Sequence, residues 1–191
     1  MRHGWFGPGL PFGQFVLSAC LGRQSKGRGD GFVLASALLL AATPALARDS
    51  LGMFGPWGAF RDPAVPRCYA IAMADKPRGA KVDFQAYADV GHWPKRALRN
   101  QVHFRLSKRL APNYPVKLRV DTQEFALAGG GGDAWAADRR MDAAIVAAMR
   151  SGKAMRVRAR AADGREFSDF YDLPGAASAI DAAALGCAPN R

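Results

Sequence analysis

Short segments in which apolar and polar residues alternate recur through the second half of the chain. In segment 99–107, Val102, Phe104 and Leu106 fall on one side and polar side chains fall on the other. Alternation with a period of two residues is typical of a β-strand that buries one face. Segments 116–120 and 155–160 share this pattern, and further strands are expected at 68–72, 124–127 and 167–171.

The polar side of the three clearest strands is rich in cations. Alternation places seven basic side chains away from the apolar face: Arg99, Arg105, Lys117, Arg119, Arg156, Arg158 and Arg160. If these strands share one sheet, we expect a single basic face that binds an anionic partner. If they are divided between two sheets, the charges are dispersed and only solvate the surface, because alternation does not fix which strands are neighbours.

One segment has helical rather than strand periodicity. Between Asp138 and Arg150 an apolar stripe follows the helical repeat, and it consists of Met141, Ile145, Ala148 and Met149. Asp138 is expected to cap the first turn, and Gly152 to close the helix in a left-handed conformation. A weaker second helix is predicted over 176–185, ended by Gly186. Many short strands with one or two short helices favour an all-β fold, a β-sandwich or barrel.

Glycine-rich turns separate the predicted strands. Asp163-Gly164 lies between two strand candidates and indicates a hairpin. The run Gly129 to Gly132 lacks the lysine and hydroxyl that follow a phosphate-binding loop, so it is interpreted as a flexible turn leading to Trp135.

Composition and charge narrow the class of protein. The chain has 191 residues, of which 49% are hydrophobic, and this is enough for a packed core. The 21 glycines and 12 prolines have no collagen period and are typical of a fold with many turns. A formal net charge of +11 attracts polyanions, but it does not identify them.

An export signal is predicted at the beginning of the chain. Basic residues precede an uncharged run from Gly31 to Ala47, and that run ends in the small-residue site Ala45-Leu46-Ala47. This order is typical of a signal peptide. We expect residues 1–47 to be the signal peptide, with cleavage between Ala47 and Arg48, and residues 48–191 to form a single β-sandwich domain. The apolar centre is shorter than the roughly 20 residues of a membrane span.

The leader has two further interpretations. Its first thirty residues form an unusually long basic region. An incorrectly chosen start codon would explain this length. Leu17-Ser18-Ala19-Cys20 is similar to a lipoprotein cleavage site, and lipidation at Cys20 is the second alternative.

Cys68 and Cys187 are the two cysteines that follow the predicted cleavage site. In an oxidising compartment we expect them to form a disulfide that joins the start of the domain to its end. The alternative is a pair of buried free thiols.

Candidate catalytic chemistry is sparse. His92 and His103 are the histidines of the predicted mature chain, and neither belongs to a motif with metal-ligand spacing. His103 alternates with Arg99 and Arg105, so it is expected to be an exposed histidine on an outward strand face. No metal, cofactor or catalytic residue is predicted.

The order of several short motifs resembles the invasion-associated locus B family of bacterial envelope proteins. The residues that carry the resemblance are an early Trp57 near Cys68, a central helix ending before Gly152, and a late Leu173-Pro174-Gly175 segment followed by alanines. The resemblance implies a small secreted immunoglobulin-like sandwich, and for some pathogens a role in entry into host cells. The chain resembles a divergent member, because the Gly129 to Gly132 run replaces cysteines typical of the family.

Two classes of function remain. The first is a non-enzymatic periplasmic or secreted module that binds an anionic envelope component or an acidic protein through its basic strands. The second is a periplasmic enzyme, which a pocket gathering Asp, Glu or His from distant positions would favour. Nucleic acid is not expected as a partner, because export removes the chain from most of it.

Overall fold

The computed structural model describes residues 48–75 and 81–188, and the predictions for residues 1–47 lie outside them. Ten strands form the body of the domain: β1 (Asp49–Phe54), β2 (Trp57–Asp62), β3 (Arg67–Met73), β4 (Tyr87–Trp93), β5 (Leu98–Arg105), β6 (Val116–Val120), β7 (Gln123–Gly130), β8 (Asp133–Trp135), β9 (Ala154–Arg160) and β10 (Glu166–Asp172). Two α-helices, α1 (Arg139–Ser151) and α2 (Ala176–Gly186), and one short 3-10 helix (Pro94–Arg96) accompany them.

All strand pairs are antiparallel, and the strand order is β1-β2-β3-β4-β5-β8-β7-β6-β9-β10. Strand β7 links the two halves, because its first residues pair with β6 and its last three pair with β8. The backbone N–H of Asp75, just beyond β3, donates to the carbonyl of Phe170 on β10 at 2.9 Å. The predicted all-β, sandwich-like fold with two helices is confirmed.

Alternation within the strands builds the core as the sequence predicts. On β6, Val116, Leu118 and Val120 are buried, while Lys117 and Arg119 are exposed. Burying one such aliphatic side chain contributes about 1.5–3 kcal/mol to stability. One face of the sheet therefore lies against the core and the other faces solvent.

Helix α1 packs through the predicted apolar stripe, with Ile145 and Met149 buried. The side chain of Asp138 accepts a hydrogen bond from the Met141 N–H at 2.8 Å, so the predicted N-cap is confirmed. The prediction for Gly152 is wrong, because its φ of −77° and ψ of 165° are extended. Glycine is required there for a different reason: a Cβ would lie 2.9 Å from side-chain carbons of Leu173 and Val120.

A disulfide fixes α2 against the sheet. Cys68 lies on β3 and Cys187 directly follows α2, with their Cα atoms 5.7 Å apart. The predicted Cys68–Cys187 bond is therefore present in the structure. Helix α2 contacts β1, β2, β3 and β4, so the bond holds the end of the chain on the first half of the sheet.

The glycine run has a more ordered structure than expected. Gly129 and Gly130 are the last residues of β7, and only Gly131 and Gly132 form the turn that leads to β8. A Cβ on Gly129 would lie 2.6 Å from Cγ2 of Val116, so its absence allows the neighbouring strand to pack closely.

Candidate functional site

Five of the seven predicted cations lie on the solvent-facing side of β6 and β9. Lys117 is directly opposite Arg158, and Arg119 is directly opposite Arg156, with Arg160 next along β9. We call these five residues the basic face. Like charges in directly opposed strand positions are destabilising, because their Cβ atoms are only about 4.5–5.5 Å apart. The structure thus concentrates positive charge at a cost in folding free energy.

Glu166, on the adjacent strand β10, relieves part of this repulsion. Its carboxylate accepts a hydrogen bond from Arg158 at 2.6 Å and another from the Tyr114 hydroxyl at 3.0 Å. The guanidinium of Arg160 is 3.9 Å from the same carboxylate and lies over the Tyr114 ring, 4.6 Å from its centre. Hydrogen bonds from Arg158 and then from Tyr114 hold the pKa of Glu166 below its ordinary value.

The other end of the basic face is less neutralised. In the described part of the chain, neither Lys117 nor Arg156 has a carboxylate within 4.0 Å of its charged nitrogen atoms. Arg119 donates from Nε to the backbone carbonyl of Asp121 at 2.7 Å and is directly opposite Glu124 on β7. Arg156 lies over the ring of Phe170 at 5.9 Å, and the Phe170 side chain is itself exposed. A shallow depression of about 290 Å³ lies between Arg119, Arg156 and Phe170.

Arg105 does not belong to the basic face. Strands β8 and β7 lie between its strand, β5, and β6. Its guanidinium donates to Asp133 at 2.6 Å and lies 3.8 Å from the centre of the Phe84 ring. The charge of Arg105 is therefore paired with a carboxylate on β8.

Arg99 is also placed differently from its prediction. Gly91 pairs with Gln101, but the next pair along β4 and β5 joins Trp93 to Leu98, so β5 has one extra residue here. Asn100 takes a positive φ of 57° within this bulge. A one-residue offset reverses which face a side chain occupies. Arg99 consequently points to the side opposite Arg105, and a single face of seven cations does not form.

His103 is half-buried within a polar cluster, so its prediction as an exposed histidine is wrong. Its Nδ1 lies 2.8 Å from a carboxylate oxygen of Asp89, and its Nε2 lies 3.1 Å from one of Asp133. The Trp135 ring stacks on the imidazole at 5.4 Å between ring centres. Burial lowers the pKa of His103, but the two carboxylates outweigh this effect, and the pKa is raised above its ordinary value.

Sequence analysis did not predict that Glu166 pairs with the basic face. It also did not predict that Asp89 and Asp133 contact His103. A two-residue Asp163-Gly164 turn, extended residue by residue, would have placed Phe167 opposite Arg160. The structure has Glu166 there, because the loop contains three residues, 162–164. No comparable signal was available for Asp89 and Asp133, because they lie 14 and 30 residues from His103 in the sequence.

Within residues 48–75 and 81–188, no three His, Cys, Asp or Glu side chains are grouped so that they could hold a metal ion. Across the same residues, no helix is long and apolar enough to cross a membrane.

Comparison with known proteins relates the fold to one solved structure. No protein-family model and no curated protein matches the sequence. The crystal structure of invasion associated protein B from Bartonella henselae is similar, with a TM-score of 0.51 and 18% sequence identity. The match covers 71% of this chain and 96% of that protein. The resemblance to the invasion-associated locus B family is thus confirmed at the level of structure, and this chain has the fold of invasion associated protein B.

Proposed function

We propose that this chain is an exported, non-enzymatic envelope protein of the invasion-associated locus B type, and that its basic face binds an anionic partner. Two observations support export. The uncharged run from Gly31 to Ala47 has the order of a signal peptide, and the Cys68–Cys187 disulfide is typical of oxidising compartments.

The observation that carries the binding proposal is the direct opposition of Lys117 to Arg158 and of Arg119 to Arg156. A requirement for solubility alone would be met by dispersed charges, which avoid the repulsion between opposed cations. An anionic group bound between two opposed cations would convert that repulsion into attraction. The partner is therefore a repeating or clustered anion, such as a phosphorylated glycolipid, an acidic polysaccharide or an acidic protein surface.

The exposed Phe170 ring favours a partner that also has an apolar or ring-shaped part. It lies at the less neutralised end of the basic face, beside Arg156. Sugar and lipid headgroups combine anionic substituents with such surfaces, so we expect a phosphorylated or sulfated glycan to bind more tightly than a flexible polycarboxylate.

The test compares two double charge reversals with the same change in net charge. Lys117→Glu with Arg156→Glu replaces two cations of the basic face that have no carboxylate within 4.0 Å among the described residues. Arg139→Glu with Arg140→Glu alters two exposed arginines in the first turn of α1, where acidic residues favour the helix. Each variant is eluted from immobilised heparin and from immobilised polyglutamate by a salt gradient, and sedimented with vesicles containing phosphatidylglycerol.

We expect the basic-face variant to elute from heparin at a clearly lower salt concentration than the α1 variant. Equal reductions would mean that only net charge matters, and would contradict the proposal. If the chain is held as strongly by polyglutamate as by heparin, the preference for a glycan is contradicted. The basic face would still be the binding surface.

A further inference from the structure

A pocket of about 330 Å³ lies next to the disulfide, on the side of the sheet that α2 covers. It is formed where β4 ends, β5 begins and α2 ends. Seven of the described residues line it: His92, Pro94, Ala97, Leu98, Arg99, Ala184 and Cys187. Most of these are apolar, and His92 and Arg99 provide the polar side chains. A concave, mainly apolar site with a few polar groups is the usual form of a small-molecule site.

The backbone around the pocket is arranged in an uncommon way. Ala97 and Asn100 both have positive φ values, of 48° and 57°, which side chains other than glycine rarely adopt. The bulge between them places Arg99 on the same side as His92. A regular strand would have put Arg99 on the opposite side, with Arg105. This strained local geometry brings the Arg99 side chain to the pocket.

His92 forms a buried part of the pocket wall. It is only 4% exposed, and its Nδ1 accepts a hydrogen bond from the Asn100 N–H at 3.5 Å. This assigns the ring proton of the neutral form to Nε2. Nε2 is shielded from solvent and lies near the backbone carbonyl of Ile180, which raises the pKa of the ring although it does not form a hydrogen bond of normal geometry.

Burial, and then the charge of Arg99, hold the pKa of His92 below its ordinary value, against a smaller opposing effect of the Ile180 carbonyl. His92 is therefore neutral near neutral pH. Arg99 remains charged and is exposed at the mouth of the pocket.

We propose that this pocket binds a small amphipathic carboxylate. Its anionic group pairs with the Arg99 guanidinium, and its short aliphatic part lies against Pro94, Leu98 and Ala184, beside the His92 ring. The site is separate from the basic face, which lies on the solvent-facing side of β6 and β9. Either proposal can fail without the other.

The experiment titrates the disulfide-bonded protein with hexanoate and follows the His92 imidazole resonances by NMR. Acetate, which lacks the aliphatic part, and 1-hexanol, which lacks the charge, are titrated in parallel. Arg99→Gln removes the pairing cation. Arg96→Gln is the matched control, because Arg96 is an exposed neighbour that lies over Trp93 instead of in the pocket.

We expect hexanoate to shift the His92 resonances, and Arg99→Gln to weaken its binding by about tenfold or more, while Arg96→Gln leaves it unchanged. Ala184→Leu, which fills the pocket, should abolish the shift. The unfolding temperature of this variant should be unchanged and its disulfide should still form. The absence of a His92 shift with hexanoate would overturn the proposal. Equal binding of hexanol or acetate, or equal effects of the Arg99 and Arg96 variants, would also overturn it.

Discussion

The imidazole of His103 on β5 lies 2.8 Å from the carboxylate of Asp89 on the adjacent strand β4. The side chain of Asp89 is only 10% exposed, so its charge is poorly screened by solvent. Because the folded protein favours the protonated imidazole, the stability of the fold is linked to pH.

We predict that His103 stabilises the fold more at acidic than at alkaline pH. Its pKa is raised in the folded state, so its contribution is fully present below about pH 6.5 and is lost as pH rises through the folded pKa. The difference in unfolding free energy between the native chain and His103→Gln should fall as pH rises from about 6.5 through the folded-state pKa, by about 1.4 kcal/mol per unit of pKa difference. Urea denaturation at each pH measures it.

His92→Gln serves as the control of opposite sign. The pKa of His92 is lowered in the folded state, so the contribution of this residue is present above its unfolded pKa and is lost as pH falls. The same pH trend for both variants would contradict the assignment of opposite shifts.

The disulfide is expected to make a large contribution to stability. Replacing both Cys68 and Cys187 by serine should lower the unfolding free energy by up to about 4–5 kcal/mol, because the bond closes a long loop in the unfolded chain. Thermal denaturation with and without reductant measures this. Reductant should destabilise the native chain and leave the double variant unchanged. If protein purified from the envelope has two alkylatable thiols, the bond does not form in the cell.

Gly175 is required by a close contact as well as by its backbone conformation. Its φ is +90°, and a Cβ there would overlap the carbonyl oxygen of Phe54. Gly164 has a similar φ of +85° with nothing within 4 Å of its would-be Cβ. We expect Gly164→Ala to cost about 1–2 kcal/mol, and Gly175→Ala to cost more than about 3 kcal/mol. Similar costs by urea denaturation would show that the Phe54 contact relaxes easily.

Glu166 is expected to limit anion binding by the basic face. Glu166→Gln removes the carboxylate that pairs with Arg158, so retention on heparin should increase. Asp181→Asn is the matched control, since it removes an exposed carboxylate paired with Arg150 and changes net charge equally. An equal increase for both variants would assign the effect to net charge.

The export signal predicts a mature chain that begins at Arg48. Amino-terminal sequencing of protein purified from the periplasm or culture medium should give Arg48-Asp49-Ser50. A chain that starts at Met1 in the cytoplasm, or at a lipidated Cys20, would contradict this prediction.

Alternation was sufficient to predict β5, β6 and β9, because each has one apolar and one polar side. It failed for β4, because the five residues from Ala88 to His92 are all buried and its two polar residues, Asp89 and His92, fall on opposite faces of the strand. The bulge at Asn100 was equally inaccessible, because no residue pattern around it indicates an extra position. Which strands are neighbours depends on contacts between distant segments, so the opposition of Lys117 to Arg158 required the structure.

The Cys68–Cys187 bond also affects how the domain would respond to proteases outside the cell. The two cysteines are 119 positions apart, so most surface loops of the domain lie within the covalent ring that they close. A single cut in any of those loops leaves both fragments attached to each other. The nicked protein would keep α2 next to β3, and a protease would have to cut twice within the ring to release a piece of the domain.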